Sequence, residues 1–340
     1  MFLDEFYLPA FFKSRHALVY FLLVFLLITF ASACSAAASV PDLTPVTVQL
    51  SWTHQAEFAG LYAAVEQGYF QEEGLKVTFL EGGPEVDFLK PVTDGQAQFG
   101  IAQPADLILA RAEGEPVRSI AVIFRRSPIV FFSLQDSGII RPQDFVGKTV
   151  RTAVTVDQVL RAMMAREGIS QDQFERVYLP SDIGQFASGD VPIWGGFINV
   201  FVLEVQKAGH KVNIISPDDY GIHFYGDALI TTDSMIQTKP DLVQRFVRAT
   251  LRGWTYALEN PESIGAYIKK YNPDSNADLE ADKMTASIPL INTGEDHVGW
   301  MKPETWDAMA QTLRTQGDLK KPLRIEDVYT MQFLEEIYGK

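Results

Sequence analysis

The feature that most restricts this chain is a unit that occurs twice: a short apolar strand, a helix with one apolar face closed by glycine, and a second strand. In the first copy "PVTVQLSW" (45–52) alternates apolar and polar residues. Phe58, Leu61, Tyr62 and Val65 then recur at i, i+3, i+4 and i+7, Gly68 ends the helix, and "LKVTFLE" (75–81) is the second strand. In the second copy "GKTVRTA" (147–153) is the strand and Val156, Leu160 and Met163 make the helix face. Gly168 stops that helix, and "FERVYLP" (174–180) follows. Two such starts, about a hundred residues apart, predict two α/β units of similar architecture.

Two further passages indicate how the units are joined. "SIAVIFRRSPIVFFSL" (119–134) holds two apolar runs around Arg125, Arg126 and Pro128, and "GIHFYGDALITTDS" (221–234) is a second such passage. Two crossings predict that the first unit is completed by the C-terminal part of the chain. The expected lobes are 46–126 with 229–340, and 127–228. The helix after Pro240 places Val243, Phe246, Val247, Thr250, Leu251 and Trp254 on one face. Further helical stretches are expected at 261–271, 303–316 and 325–338.

The N-terminus reads as an export signal over 1–33. Lys13, Arg15 and His16 precede "ALVYFLLVFLLITF" (17–30), which leads into "ASACSAA". That run is shorter than the roughly 20 apolar residues of a spanning helix and ends in small residues. The acids Asp4 and Glu5 are atypical of such a segment. Cys34 is the only cysteine, so an internal disulfide framework and a multi-cysteine metal site are excluded. "Ala31-Ser32-Ala33-Cys34" resembles a bacterial lipobox, with Ala31 where leucine is usual; the other reading is a small residue beside a cleavage site. Lipidation of Cys34, at about 0.8 kcal/mol per buried CH₂, would hold the chain on the outer face of a membrane. Residues 34–45, small and Pro-containing, read as a tether. The signal holds two acids and two bases, so the full net charge of −14 belongs to the mature chain and argues against nucleic acid as a partner.

Motifs for chemistry are scarce. The chain has no phosphate loop, no G-x-G-x-x-G and no G-x-S-x-G elbow. Its five histidines (16, 54, 210, 223 and 297) are scattered and none has metal-ligand spacing. With 43 acids, carboxylate pairs carry no specificity. What remains is an aromatic and amide-rich set at strand ends and loops. Trp52, Phe58, Tyr62, Trp194, Phe197 and Tyr225 are candidates for stacking on a planar ligand, and His54, Gln55, Glu57, Gln103, Asp106, Asn199 and Asp227 for its polar edge. Phe58, Tyr62 and Phe197 fit a plain core as well, and His54 fits a strand end bonded to backbone. Trp52 and Trp194 are placed at the C-terminal ends of strands, where ligands of open α/β sheets gather.

These residues resemble a known family. "LSWTHQAEFAGLYAAVEQGYFQEEGLKVTFLEGG" (50–83) looks like the opening of the thiamine-pyrimidine-synthase-like (SsuA/Thi5-like) branch of ABC-transporter solute-binding proteins. "DGQAQFGIAQPADLILARAEGEPV" (94–117), "GKTV" (147–150), "IWGGFIN" (193–199) and "KPDLVQRFVRATLRGWTYALENPE" (239–262) extend the likeness over most of the chain. The resemblance implies a type II periplasmic-binding fold, two α/β lobes joined by two crossing strands with ligand in the cleft. It also implies a permease and its ATPase as partners. The family includes an enzyme that consumes its own histidine and uses a lysine-bound pyridoxal phosphate and a cysteine-rich iron motif. Here Ala102 stands at the lysine's place, Asp106 at the histidine's, and "GIHFYGDALI" holds no cysteine. The resemblance therefore implies a binding protein without catalytic residue, cofactor or metal. The "W-x-H-Q-A-x-F-A-G" form of the first motif resembles riboflavin-type members, which makes riboflavin the expected ligand and a thiamine-precursor pyrimidine the alternative. Tryptophan to alanine at 52 or 194 is expected to weaken binding and spare stability.

Overall fold

The structure is a computed structural model that describes residues 43–83 and 86–339; the export signal, Cys34 and most of the tether lie outside them. Alternation in "TPVTVQ" buries Val46 and Val48 and makes β1 (Thr44–Gln49). This strand pairs in parallel with β2 (Leu75–Leu80) and β3 (Phe99–Ala102). β4 (Val117–Val122) leads into the first passage. β5 (Ile129–Leu134) opens a second sheet with β6 (Thr149–Thr152), β7 (Glu175–Tyr178), β8 (Ile193–Phe197) and β9 (Val212–Ile215). β10 (Ala228–Thr232) returns to the first sheet, antiparallel between β3 and β4. The two orders are β2-β1-β3-β10-β4 and β7-β6-β8-β5-β9. In each, the antiparallel insertion is the strand that follows a crossing.

The crossings are bonded to each other. Ile123 N–H donates to Asp227 O at 2.8 Å, Gly226 N–H to Phe124 O at 2.7 Å, and Ser127 N–H to Phe224 O at 2.9 Å. Both connections between the sheets are thus one two-stranded ribbon, the geometry of a hinge.

Six helices matter below: α1 (Ala59–Glu66), α2 (Pro104–Glu113), α3 (Val154–Arg166), α4 (Pro240–Glu259), α5 (Ala277–Ile291) and α6 (Pro303–Gln316). All six residues expected on the apolar face of α4 are buried. Of the expected stretches, 303–316 is helical throughout. The segment 261–271 holds a short helix, Ile264–Ile268, and 325–338 ends in Gln332–Tyr338. α5 was not expected: it carries an internal Pro289, and its buried side is largely polar. α1 and α4 cross at glycines. A Cβ on Gly253 would lie 2.1 Å from Gly60 O and 2.7 Å from Ala64 Cβ, and one on Gly60 would lie 2.2 Å from the Trp254 ring. Because backbone cannot yield as a side chain tip can, Gly253→Ala is expected to cost about 1–3 kcal/mol, measured by urea denaturation. A neutral result would mean that α1 slides freely on α4.

Candidate functional site

The carboxyl ends of β1 and β3 and the hinge ribbon converge on a group of acids. After β1 the chain turns through Ser51 into a 3₁₀ turn, Ala56–Phe58, which brings Glu57 back beneath Ser51. Ser51 Oγ donates to Glu57 Oε1 at 3.1 Å and Gln55 Nε2 to Glu57 Oε2 at 2.6 Å. After β3, Gln103 precedes α2, its side-chain amide donating to Asp227 Oδ1 at 2.7 Å. Glu57 and Asp227 are buried and bonded to each other. Burial raises the Glu57 carboxyl, while its bonds to Asp227, Ser51 and Gln55 oppose the rise. Burial pushes Asp227 well above the carboxylate range, and the neighbouring Glu57 adds to it. Two desolvated carboxyl groups in contact cannot both ionise cheaply, so each raises the cost of charging the other.

One turn further along, Asp106 sits in the first turn of α2 and is pushed up to about 6 by burial. With Gln103, Ser127, Phe224 and Tyr225 it lines a recess whose opposite wall is Gln158 and Val159 of α3, from the second lobe. The recess measures about 20 Å³, room for one water rather than a ring. A ligand there requires the lobes to part. Tyr225 is fixed from behind: its hydroxyl accepts from Lys302 N–H at 2.8 Å and its ring meets Trp306 edge-on at 5.5 Å.

A second aromatic group lies beside the acids. His54 Nδ1 and Tyr62 Oη are 2.8 Å apart, and both rings stack on Tyr271, at 5.2 and 4.8 Å, with Phe79 edge-on to Tyr62 at 5.6 Å. Burial lowers the pKa of His54, against the pull of Glu81, so the imidazole is neutral at neutral pH. Burial pushes the Tyr271 hydroxyl up to about 12. These rings fill one another's faces. His54 is a partner of Tyr62 and Tyr271, and its carbonyl accepts from Asn272.

The expected site residues therefore separate into groups. Glu57, Gln103 and Asp227 form the acid network; Gln103, Asp106 and Tyr225 line the recess; His54 and Tyr62 belong to the aromatic cluster; Trp52 is 41% exposed. Asn199 lies in a π-helical turn, Ile198–Val202, its Nδ2 donating to Ser287 Oγ at 2.8 Å and its Oδ1 buried without a partner. Trp194 requires a correction. It is fully buried among Phe186, Phe201 and Val202, with Nε1 donating to Val191 O at 2.8 Å. The pleat turns it to the same face as Phe132, its register partner on β5, into the second lobe's own core. Ser127, Gln158 and Phe224 were not foreseen. Phe224 adjoins Tyr225 in "HFYGD" and was legible there; Gln158 and Ser127 carry no sequence signal. Among the described residues no group of three His, Cys, Asp or Glu is placed to hold a metal ion, and no helix is long and apolar enough to cross a membrane.

Comparison with known proteins sets this geometry in a family. The formylaminopyrimidine-binding protein of Halalkalibacterium halodurans is 26% identical over 319 residues, 90% of this chain and 96% of that protein. Riboflavin-binding protein RibY of Chloroflexus aurantiacus is 25% identical over 317 residues, 89% and 90% of the two chains. A 4-amino-5-hydroxymethyl-2-methylpyrimidine phosphate synthase of Legionella pneumophila is 26% identical over 302 residues, 86% and 92%. Among solved structures, a putative periplasmic sulfonate-binding protein SsuA from Methylobacillus flagellatus superposes with a TM-score of 0.68 at 16% identity, covering 88% of this chain and 95% of that one. The fold is thus that of the type II periplasmic binding proteins. With residues 55–264 matched by the family model described as NMT1/THI5 like, the chain belongs to the NMT1/THI5-like family.

Proposed function

We propose that this protein is the extracytoplasmic solute-binding component of an ABC importer and that it captures a vitamin-type aminopyrimidine between its lobes. The observation that carries the reading is a recess walled by both lobes, bearing a carboxyl raised to about 6 and no lysine or arginine. An aminopyrimidine presents a weakly basic ring nitrogen beside an exocyclic amine. A desolvated carboxyl pairs with that edge through two hydrogen bonds, sharing a proton with the ring nitrogen. A sulfonate or nitrate would place its charge against Asp106 with no cation to meet it. The dioxo edge of a flavin offers a single N–H between two carbonyl oxygens, so one carboxylate oxygen would gain a bond and the other would face an acceptor. Riboflavin is the second reading, supported by the first motif and the likeness to RibY. Delivery to a permease and its ATPase, and anchoring through Cys34, complete the proposal. A pyrimidine-modifying enzyme is disfavoured by Ala102 and by the recess, which offers no lysine amine for a Schiff base.

Calorimetric titration of the purified protein with formylaminopyrimidine, hydroxymethylpyrimidine and riboflavin is the test. Saturable one-to-one heat with a pyrimidine and none with riboflavin is the expected result. Riboflavin binding alone would exchange the two readings, and silence with all three would remove the vitamin assignment.

A further inference from the structure

Outside the recess, the two lobes meet along α5 and, at α3, through Arg161 and Asp318, 2.7 Å apart, and through Gln316 Nε2 donating to Gln158 O. Lys283 of α5 is almost fully buried, and its Nζ lies 3.0 Å from Glu280 Oε1 on the same helix and 2.9 Å from Glu204 Oε1 on the second lobe. Glu280 uses its other oxygen to accept from Ala56 N–H at 2.7 Å, at the start of the 3₁₀ turn that carries Glu57. One turn along, Ser287 Oγ donates to Lys283 O at 2.7 Å and accepts from Asn199 Nδ2 of the second lobe. Asp282 pairs with Lys207, also of the second lobe, at a more exposed position. At the far end of α5, Leu290 O accepts from Arg126 N–H of the hinge at 3.1 Å. One helix is thereby bonded to the turn bearing Glu57, to the opposite lobe and to the hinge.

We propose that Lys283 and Glu280 form a positioning pair on α5 that couples the 3₁₀ turn at Ala56–Phe58 to closure of the second lobe, with Glu204 as its latch. Burying an ammonium costs several kcal/mol unless its partners are in place. Burial pulls Lys283 toward neutrality, and Glu204 and Glu280 together more than reverse it. When the lobes part, Lys283 loses Glu204 and Asn199 loses Ser287. The open form therefore holds a half-satisfied cation, and the closed form a fully bonded one. Closure and the placing of Glu57 are linked through Glu280, which holds both Lys283 and the Ala56 amide. The latch itself is independent of which ligand the cleft takes; its effect on ligand release rests on the function proposed above.

Glu204→Gln tests this cleanly, since Lys283 keeps Glu280 and the first lobe is left intact. In the full chain without ligand, small-angle scattering is expected to give a larger radius of gyration for the variant than for the wild type. Amide exchange over 199–207 is expected to be faster. Unchanged radius and exchange would overturn the latch. Lys207→Ala, which removes the exposed pair alone, is expected to shift the radius less; an equal shift would show that surface charge between the lobes, not the buried pair, controls closure. In stopped-flow with formylaminopyrimidine, dissociation from Glu204→Gln is expected to be about fivefold faster or more, with association little changed; equal dissociation rates would sever closure from release. Should that pyrimidine fail to bind either protein, the ligand assignment falls, and the scattering comparison still decides the latch.

Discussion

Trp194→Ala is expected to lower the unfolding free energy by about 3–5 kcal/mol and to leave ligand affinity unchanged. The indole has no exposed surface. Phe186 meets it edge-on at 6.0 Å, Phe201 tilts against it at 5.6 Å, and the Arg151 guanidinium lies 5.3 Å from its centroid. Truncation opens a cavity lined by these rings. It also strips a π face from a buried cation held otherwise by Leu179 O, Gly195 O and Ser181 Oγ. Trp194→Phe separates the components: it keeps most of the volume and loses the 2.8 Å bond to Val191 O, worth about 1 kcal/mol. Urea denaturation beside ligand titration measures both. Lost affinity with intact stability would return Trp194 to the cleft.

Asp106→Asn is expected to stabilise the protein at pH 7.5 while abolishing tight binding of the proposed pyrimidine. The folded carboxyl is raised to about 6 from an ordinary 3.8 because burial disfavours its charge. Between pH 4 and 6 the native state thus holds a proton that the unfolded chain has already released, and above pH 7 it carries a buried charge that the unfolded chain leaves in water. Stability from this group is full below pH 4 and is lost as pH rises through 6. A shift of about two units corresponds to about 3 kcal/mol. Asparagine does not titrate, so variant and wild type should agree near pH 4 and diverge by up to that amount above pH 7. The Glu57–Asp227 pair acts in the same direction but is common to both proteins, so the difference isolates Asp106. Denaturation midpoints at four values from pH 4 to 7.5 are the measurement. Parallel profiles would mean that Asp106 titrates as an exposed acid does.

The parts of this fold written in period were legible from sequence. Val243 to Trp254 fall on one face because a helix lying on a sheet must bury an apolar stripe. The two passages around Pro128 and Asp227 stood out as apolar runs that neither α/β unit accommodated. α5 was missed because its buried residues include Glu280, Lys283 and Ser287, and an ion-paired face leaves no apolar period to detect. Pro289 hides it further. Trp194 was misplaced for a different reason: a strand's alternation says that 194 and 195 face opposite ways, not which face the core takes. Glu57 and Asp227 were recognisable as polar residues in aromatic surroundings. Their contact was not, since it joins the turn after β1 to the hinge, and no local pattern records it.

The placement of β10 between β3 and β4 has a consequence for the order in which the molecule can be built. Gln103 and Asp227, bonded in the finished fold, are 124 residues apart in the chain, and everything from β5 to β9 is made between them. A chain growing from its N-terminus can complete the second sheet by Ile215, while β3 and β4 still wait for the strand that joins them. Until that strand arrives, each leaves an unpaired edge, the surface most prone to capture a neighbouring chain. A ribosome stalled once Ile215 has left its exit tunnel, with β10 still inside, should accordingly hold a protease-resistant second lobe on a first lobe that is still open to cleavage.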